Sequence, residues 1–382
     1  MIFQGFSDIT EHTGTRLKTR FFELLSGRSE VQILSGTPIL NPIALLAIGF
    51  HFSGDCMVKT SLLFISVATL FLFMIPGFLL RKFKLAGNDF AKSLSVLVLY
   101  VAQSALFIHG FIIEFNKETF KEVIYTFIFA LITHLVFSLI SLCLFKKAPE
   151  KRRKVLQFAV VFSNAGYMGI PVIADVLGND FVIYATAYTV WFNAFAYSFG
   201  RLLYTGDKKY MSLKKIIVNP AILSILIGMA IYFSGLGAEL KDIMASSSES
   251  ALKSAVTMFY NILTVLKNMV APASMMVIGA RIADIDLRGV LKDRYLYRFL
   301  ALRHFVFPFI MWCIMRPFLF FGVIGQEVIS IILILCSTPA AAMTSMFAEL
   351  YGGDSPYAGK IVAVSTMVSV ASMPLVSLLL YI

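Results

Sequence analysis

Charge is scarce in this sequence. Of its 382 residues only 14% are Asp, Glu, Lys or Arg, against about a quarter in an ordinary soluble domain. That excludes a disordered chain, which carries charge in place of apolar residues, and an ordinary cytosolic enzyme. Cysteine is almost as rare. Cys56, Cys143, Cys313 and Cys336 lie far apart, with neither zinc-site spacing nor the density of a secreted disulfide scaffold. The first thirty residues lack a signal peptide's apolar core, because the run at 21–25 is short and interrupted by Glu23. Phosphate loop, nucleophile elbow, zinc-helix motif and dinucleotide glycine pattern are all missing. No enzyme, cofactor or metal is therefore expected, and no self-contained ATP-driven pump.

What is present is apolar. Hydrophobic residues make up 58% of the chain, with 36 Phe and 17 Met, and the mean hydropathy is +0.82. A bilayer crossing takes roughly 20 apolar residues in a helix. Ten runs meet that need, at about 61–80, 92–113, 122–145, 154–177, 181–203, 216–235, 259–283, 299–321, 327–350 and 360–381. A weaker run at 33–53, broken by Pro38 and Pro42, either spans, re-enters or lies at the interface. The expected fold class is an all-α polytopic membrane protein.

The net charge of +11 would suggest nucleic acid in a soluble protein. Here the basic residues alternate between loops. Arg81, Lys82 and Lys84 follow the first run; Lys146, Lys147, Lys151, Arg152, Arg153 and Lys154 the third; Lys208, Lys209, Lys214 and Lys215 the fifth; Arg288, Lys292, Arg294 and Arg298 the seventh. The intervening loops have no basic excess. The positive-inside rule puts the basic loops in the cytoplasm, so the charge orients the protein and nucleic acid is not an expected partner.

The chain also repeats itself. Aligned without gaps, FSNAGYMGIPVIADVLG at 162–178 and CSTPAAAMTSMFAELYG at 336–352 match Ser163 with Ser337, Ala174 with Ala348, Asp175 with Glu349 and Gly178 with Gly352. Two units of five spans follow, 61–203 and 216–382, joined by a cytoplasmic linker at 204–215 and preceded by an extension at 1–60. A unit with an odd number of crossings returns inverted, a pattern typical of secondary transporters. The matched segments are the least helix-like parts of their spans. Asn164, Gly166, Gly169 and Pro171 interrupt the first, and Thr338 and Pro339 the second, followed by Met343 and Thr344. Backbone freed at mid-membrane depth must line a cavity or be buried in protein, and free helix amino ends favour an anion. These eight residues form the expected substrate site, with Gln103, Lys267 and Asn268 contributed by the second and seventh spans. Thr344 is expected to bond back to its own helix, and Arg303 to snorkel from the start of the eighth span. His109, His134 and His304 have no metal spacing.

SNAGYMGIP, with VIADVLG and VWFNAFAYSFG after it, resembles the auxin efflux carrier family, and in particular its bacterial malate or malonate permease-like members. Pro76-Gly77-Phe78, Asn219-Pro220, Ala271-Pro272, Ile278-Gly279-Ala280 and Pro339-Ala340-Ala341-Ala342 agree, and the likeness covers about 60–382. The resemblance implies two inverted five-helix repeats with crossed broken helices, as in bile-acid transporters and sodium–proton antiporters. It implies a scaffold of spans 1, 2, 6 and 7, a mobile unit of spans 3–5 and 8–10, and elevator-like movement of an organic anion across the cell membrane. A coupling ion, proton or sodium, and a homodimer stay open. The sequence departs from the family at Met343, where Asn is usual, at Ser104, where Pro is usual, and at Lys267, where Gly is frequent. Those departures keep a second reading in play, a membrane sensor or scaffold that binds its ligand without moving it.

Overall fold

The computed structural model describes residues 60–206, 220–247, 250–284 and 290–382. The run at 33–53, the rest of the 1–60 extension up to residue 59 and residues 207–215 of the expected linker lie outside the described residues.

Thirteen helices carry the described chain. The first three are α1 (Thr60–Lys82), α2 (Phe90–Gly110) and α3 (Lys117–Cys143). Next come α4 (Glu150–Val161), α5 (Ala165–Val176) and α6 (182–205). A bent pair follows, α7 (Pro220–Phe233) and α8 (Leu236–Ala245), and then α9 (Ala251–Ala283) and α10 (Arg294–Phe320). The chain ends with α11 (Gln326–Ser337), α12 (Met343–Leu350) and α13 (Ser355–Tyr381). Six of them, α1, α2, α3, α9, α10 and α13, are long and apolar enough to cross a membrane. The pair α7–α8 adds a seventh if taken as one span bent by 72°. The other expected spans are interrupted. α4 and α5 share one, α11 and α12 share another, and α6 contains a π-helical turn at Ala196–Gly200.

Polar caps set several helix starts. The Asn116 side chain accepts from the Glu118 and Thr119 N–H groups at the head of α3. Ser250, Asp293 and Asp354 do the same for α9, α10 and α13. Each satisfies a backbone donor left over in the first turn. Large apolar side chains remain exposed on the outer helices, among them Ile65, Leu139, Val265 and Phe320. On a water-soluble surface such bands would be a liability; against lipid they are the expected covering.

The helices pack in two sets. α1, α2, α7 and α9 pack on one another, with α9 crossing both α1 and α2. The second set surrounds α4 and α11: α3 packs on α6, α4 and α11, α10 packs on α11, and α13 packs on α4, α11 and α12. Every residue from Val328 to Ser337 of α11 is buried, as expected for a helix that is apolar all round. The sets meet where α13 and α5 pack on α1 and where α9 passes the start of α5.

Candidate functional site: two helix breaks joined by an antiparallel bridge

The two interruptions meet. α4 ends at Val161 and α11 at Ser337, and the extended residues beyond them lie side by side. Ser163 pairs antiparallel with Ala340. The Asn164 N–H donates to the Pro339 carbonyl at 2.8 Å, and the Ala341 N–H to the Phe162 carbonyl at 2.9 Å. Each break thus supplies the hydrogen-bond partners that the other lost, which answers the cost of bare backbone in an apolar interior. The breaks differ in length. The first spans 162–164, after which Gly166 and Gly169 lie in a π-helical turn (Ala165–Gly169) and Pro171 is already helical. The second spans 338–342, so Met343 and Thr344 open α12.

Arg303 holds both breaks from behind. It is fully buried, which corrects the snorkelling expected from its place in the sequence. It lies in a π-helical turn of α10 (Leu302–Val306), and its five N–H groups make five hydrogen bonds. Nε and Nη2 donate to the Thr338 carbonyl, Nη2 also to Cys336, and Nη1 to Val160 and Val161, at 2.8–3.4 Å. These carbonyls form the carboxyl ends of α4 and α11. A helix carboxyl end behaves as about half a negative charge, so two of them balance one guanidinium without any carboxylate.

His304 extends this support. Its Nε2 lies 3.0 Å from the Ser365 hydroxyl and its Nδ1 2.8 Å from that of Ser372, all three side chains being buried. Ser365 also accepts from the Ala340 N–H at 3.0 Å. Ser365→Ala takes a partner from both groups inside the protein. The expected cost is about 1–3 kcal/mol, read as a lowered melting temperature in detergent; an unchanged melting curve would mean the Ala340 N–H does not depend on Ser365.

Four buried polar atoms at or near the bridge have no hydrogen-bond partner: Ser163 Oγ, Asn164 Nδ2, Thr344 Oγ1 and Ser345 Oγ. The two threonines reverse the expected roles. Thr338 bonds back to the Leu335 carbonyl at 2.8 Å, whereas Thr344 does not bond back to its helix. Gln103, just after a π-helical turn of α2, lies against the first break so closely that a Cβ on Gly166 would be 2.6 Å from its Nε2. Ser274 of α9 touches the same stretch through the Tyr167 carbonyl, at 3.2 Å.

The remaining expected residues are not brought to the bridge. Lys267 Nζ reaches Asn179 Oδ1, in the turn between α5 and α6, at 3.1 Å and His109 Nδ1, in the last turn of α2, at 3.3 Å. Asn268 is exposed. Sequence reasoning missed Arg281, Ser345 and the His304–Ser365 support. Only Arg281 carried a usable signal, as an ionisable residue in an otherwise apolar stretch of a span.

A fold of apolar membrane-crossing helices around two bridged helix breaks defines a multi-pass membrane protein with the build of a transporter. The family described as membrane transport protein, that of the auxin efflux carriers, matches residues 62–211 and 207–377, and the chain belongs to it. No curated protein matches the chain.

Proposed function

We propose that the protein is a secondary active transporter of a small organic anion, a carboxylate. It binds its substrate where 162–164 and 338–342 meet and works by elevator-type alternating access in the cell membrane. The observation that carries this reading is the bridged pair of breaks, with Asn164, Thr344 and Ser345 offering unpartnered polar atoms beside it. Arg303 answers the negative helix ends on one side of the breaks. The amino ends of α5 and α12 on the other side keep their positive character, which suits an anion. The two packing sets give the reading its moving parts: α1, α2, α7 and α9 as scaffold, and the set around the breaks as carrier. The two five-span units, 61–203 and 216–382, would then be inverted repeats. Gln103 belongs to the scaffold face of the site in this reading, and Gly166, Gly169, Pro171, Thr338, Pro339 and Met343 to its carrier face.

The test is flux of radiolabelled carboxylates in proteoliposomes. Asn164→Ala removes a free amide donor without touching the bridge, which uses the Asn164 backbone. It is expected to cut uptake about tenfold or more, as loss of one hydrogen bond to a charged ligand does. Pro339→Ala is expected to reduce flux with little change in melting. If carboxylates cross and neither substitution matters, the site is misplaced. The second reading, a sensor that binds without moving its ligand, is favoured by Met343, an apolar side chain at the opening of α12. Ligand-dependent thermal stabilisation with no flux would select it.

A further inference from the structure

A narrow cleft separates α9 from α12 and α13. Its wall carries Ile278, Arg281 and Ile282 from α9, Ala342 and Ser345 from the start of α12, and Val362 from α13. Arg281 is partly buried and is the only cation in the lining. With the described residues it makes no hydrogen bond or ion pair; the groups that act on it electrostatically are Glu349, toward the far end of α12, and Tyr167, from the first break. Ser345, only 6% exposed, has no hydrogen-bond partner for its hydroxyl although it lines the same cleft. The cleft thus combines an uncommitted guanidinium, an uncommitted hydroxyl and the amino end of an eight-residue helix, within otherwise aliphatic walls.

Each of these three features favours a carboxylate. A guanidinium matches its two oxygens in a fork, a buried hydroxyl without a partner has a donor to give, and a helix amino end carries about half a positive charge. Together they carry about one and a half positive charges, enough for one carboxylate and short of two. A second carboxylate on the same ligand would lie among Ile278, Ile282 and Val362 with no cation to meet it, and a lone charge in apolar surroundings is heavily penalised. The Glu349 carboxylate adds to that penalty.

We infer that Arg281, with Ser345 and the amino end of α12, forms a carboxylate-binding site that selects monoanionic over dianionic ligands. The inference rests on the transport reading above and adds the substrate class to it. Because Arg281 comes from the scaffold set and Ser345 from the carrier set, the bound anion bridges the two.

The experiment is a binding titration on the purified full chain, paired with proteoliposome flux, at neutral pH. The probes are propionate and pyruvate as monoanions, malonate and succinate as dianions, and propionamide as the neutral isostere of propionate. The wild type is expected to bind the monoanions at least about tenfold more tightly than the dianions and not to bind propionamide. Arg281→Gln is expected to weaken monoanion binding by about tenfold or more, and Arg281→Lys by less, since lysine keeps the charge and loses the fork. Dianions that bind as tightly as monoanions to the wild type would overturn the inference without any variant having to fold. So would monoanion flux that is indifferent to Arg281→Gln, and in both cases carboxylate transport itself would stand. If none of the carboxylates binds or crosses, the transport reading fails and the inference falls with it.

Discussion

Arg303→Gln is expected to leave little folded protein. The guanidinium donates five hydrogen bonds to four main-chain carbonyls in a fully buried position. Glutamine is shorter, carries two N–H donors and has no charge, so most of those carbonyls would be left bare. Each unsatisfied buried group costs about 1–3 kcal/mol, and the sum approaches the whole stability of a typical domain, about 5–15 kcal/mol. The two negative helix ends would also face each other without a cation between them. Arg303→Lys keeps the charge but offers three donors from one point in place of a planar fork; it should fold and melt several degrees lower. Size-exclusion profiles and melting curves in detergent decide the matter. An Arg303→Gln protein that elutes as a single species and melts like wild type would show that the carbonyls find other partners, and that the breaks do not depend on Arg303.

Such dependence divides the labour around the breaks. The carboxyl ends of α4 and α11 are tied to one cation and are electrically quiet. Of the polar atoms that remain unpartnered, Ser163 Oγ lies in the first break itself, and Asn164 Nδ2 on one side and the Thr344 and Ser345 hydroxyls on the other belong to the residues that resume the helices. A ligand at the breaks therefore meets hydrogen-bonding groups and positive helix ends rather than bare carbonyls, which is why the reading favours an anion over a cation.

The breaks themselves were legible in the sequence. Gly and Pro are expensive in helix interiors, so Gly166, Gly169, Pro171 and Pro339 in otherwise apolar runs marked the interruptions to within a few residues. That the interruptions pair as an antiparallel bridge was not legible, because it depends on two extended segments 174 residues apart by the repeat offset finding the same depth. Arg303 shows the limit from another side. A charge near the end of an apolar run reads as one that reaches water, and only packing α10 against α4 and α11 turns it inward. Thr338 and Thr344 have the same chemistry in sequence. They differ because one follows a helix whose Leu335 carbonyl is within reach and the other opens a helix with no preceding turn to bond to. Arg281 was visible as a charge inside a span, yet its meaning comes from Ser345 and Tyr167, which the chain delivers from both breaks.

A second large effect is expected where α1 crosses α9. A Cβ on Gly77 would lie 2.0 Å from the Met276 carbonyl oxygen, and one on Gly279 would lie 1.9 Å from that of Met74. The two glycines are thus reciprocal: each lets its own backbone touch the other helix, in the way small residues bring membrane helices together. A methyl group at either position must push the helices apart by more than an ångström, since neither obstacle is a side chain that can swing away. The neighbouring links would stretch with it, notably the Arg81–Asp284 ion pair at 2.8 Å and the Ser274 contact to Tyr167 at the first break. Overpacking of this kind costs about 1–3 kcal/mol, and more where nothing can yield. Gly77→Ala and Gly279→Ala should each lower the melting temperature in detergent by several degrees, whereas Gly87→Ala, with nothing within 4 Å of its new Cβ, should not. The double substitution supplies the sharper test. Once one methyl has separated the helices, the second enters space already opened, so the two losses should sum to well above the loss of the double variant. Strictly additive losses would mean that the two sites yield independently, and that the crossing is not one shared backbone contact.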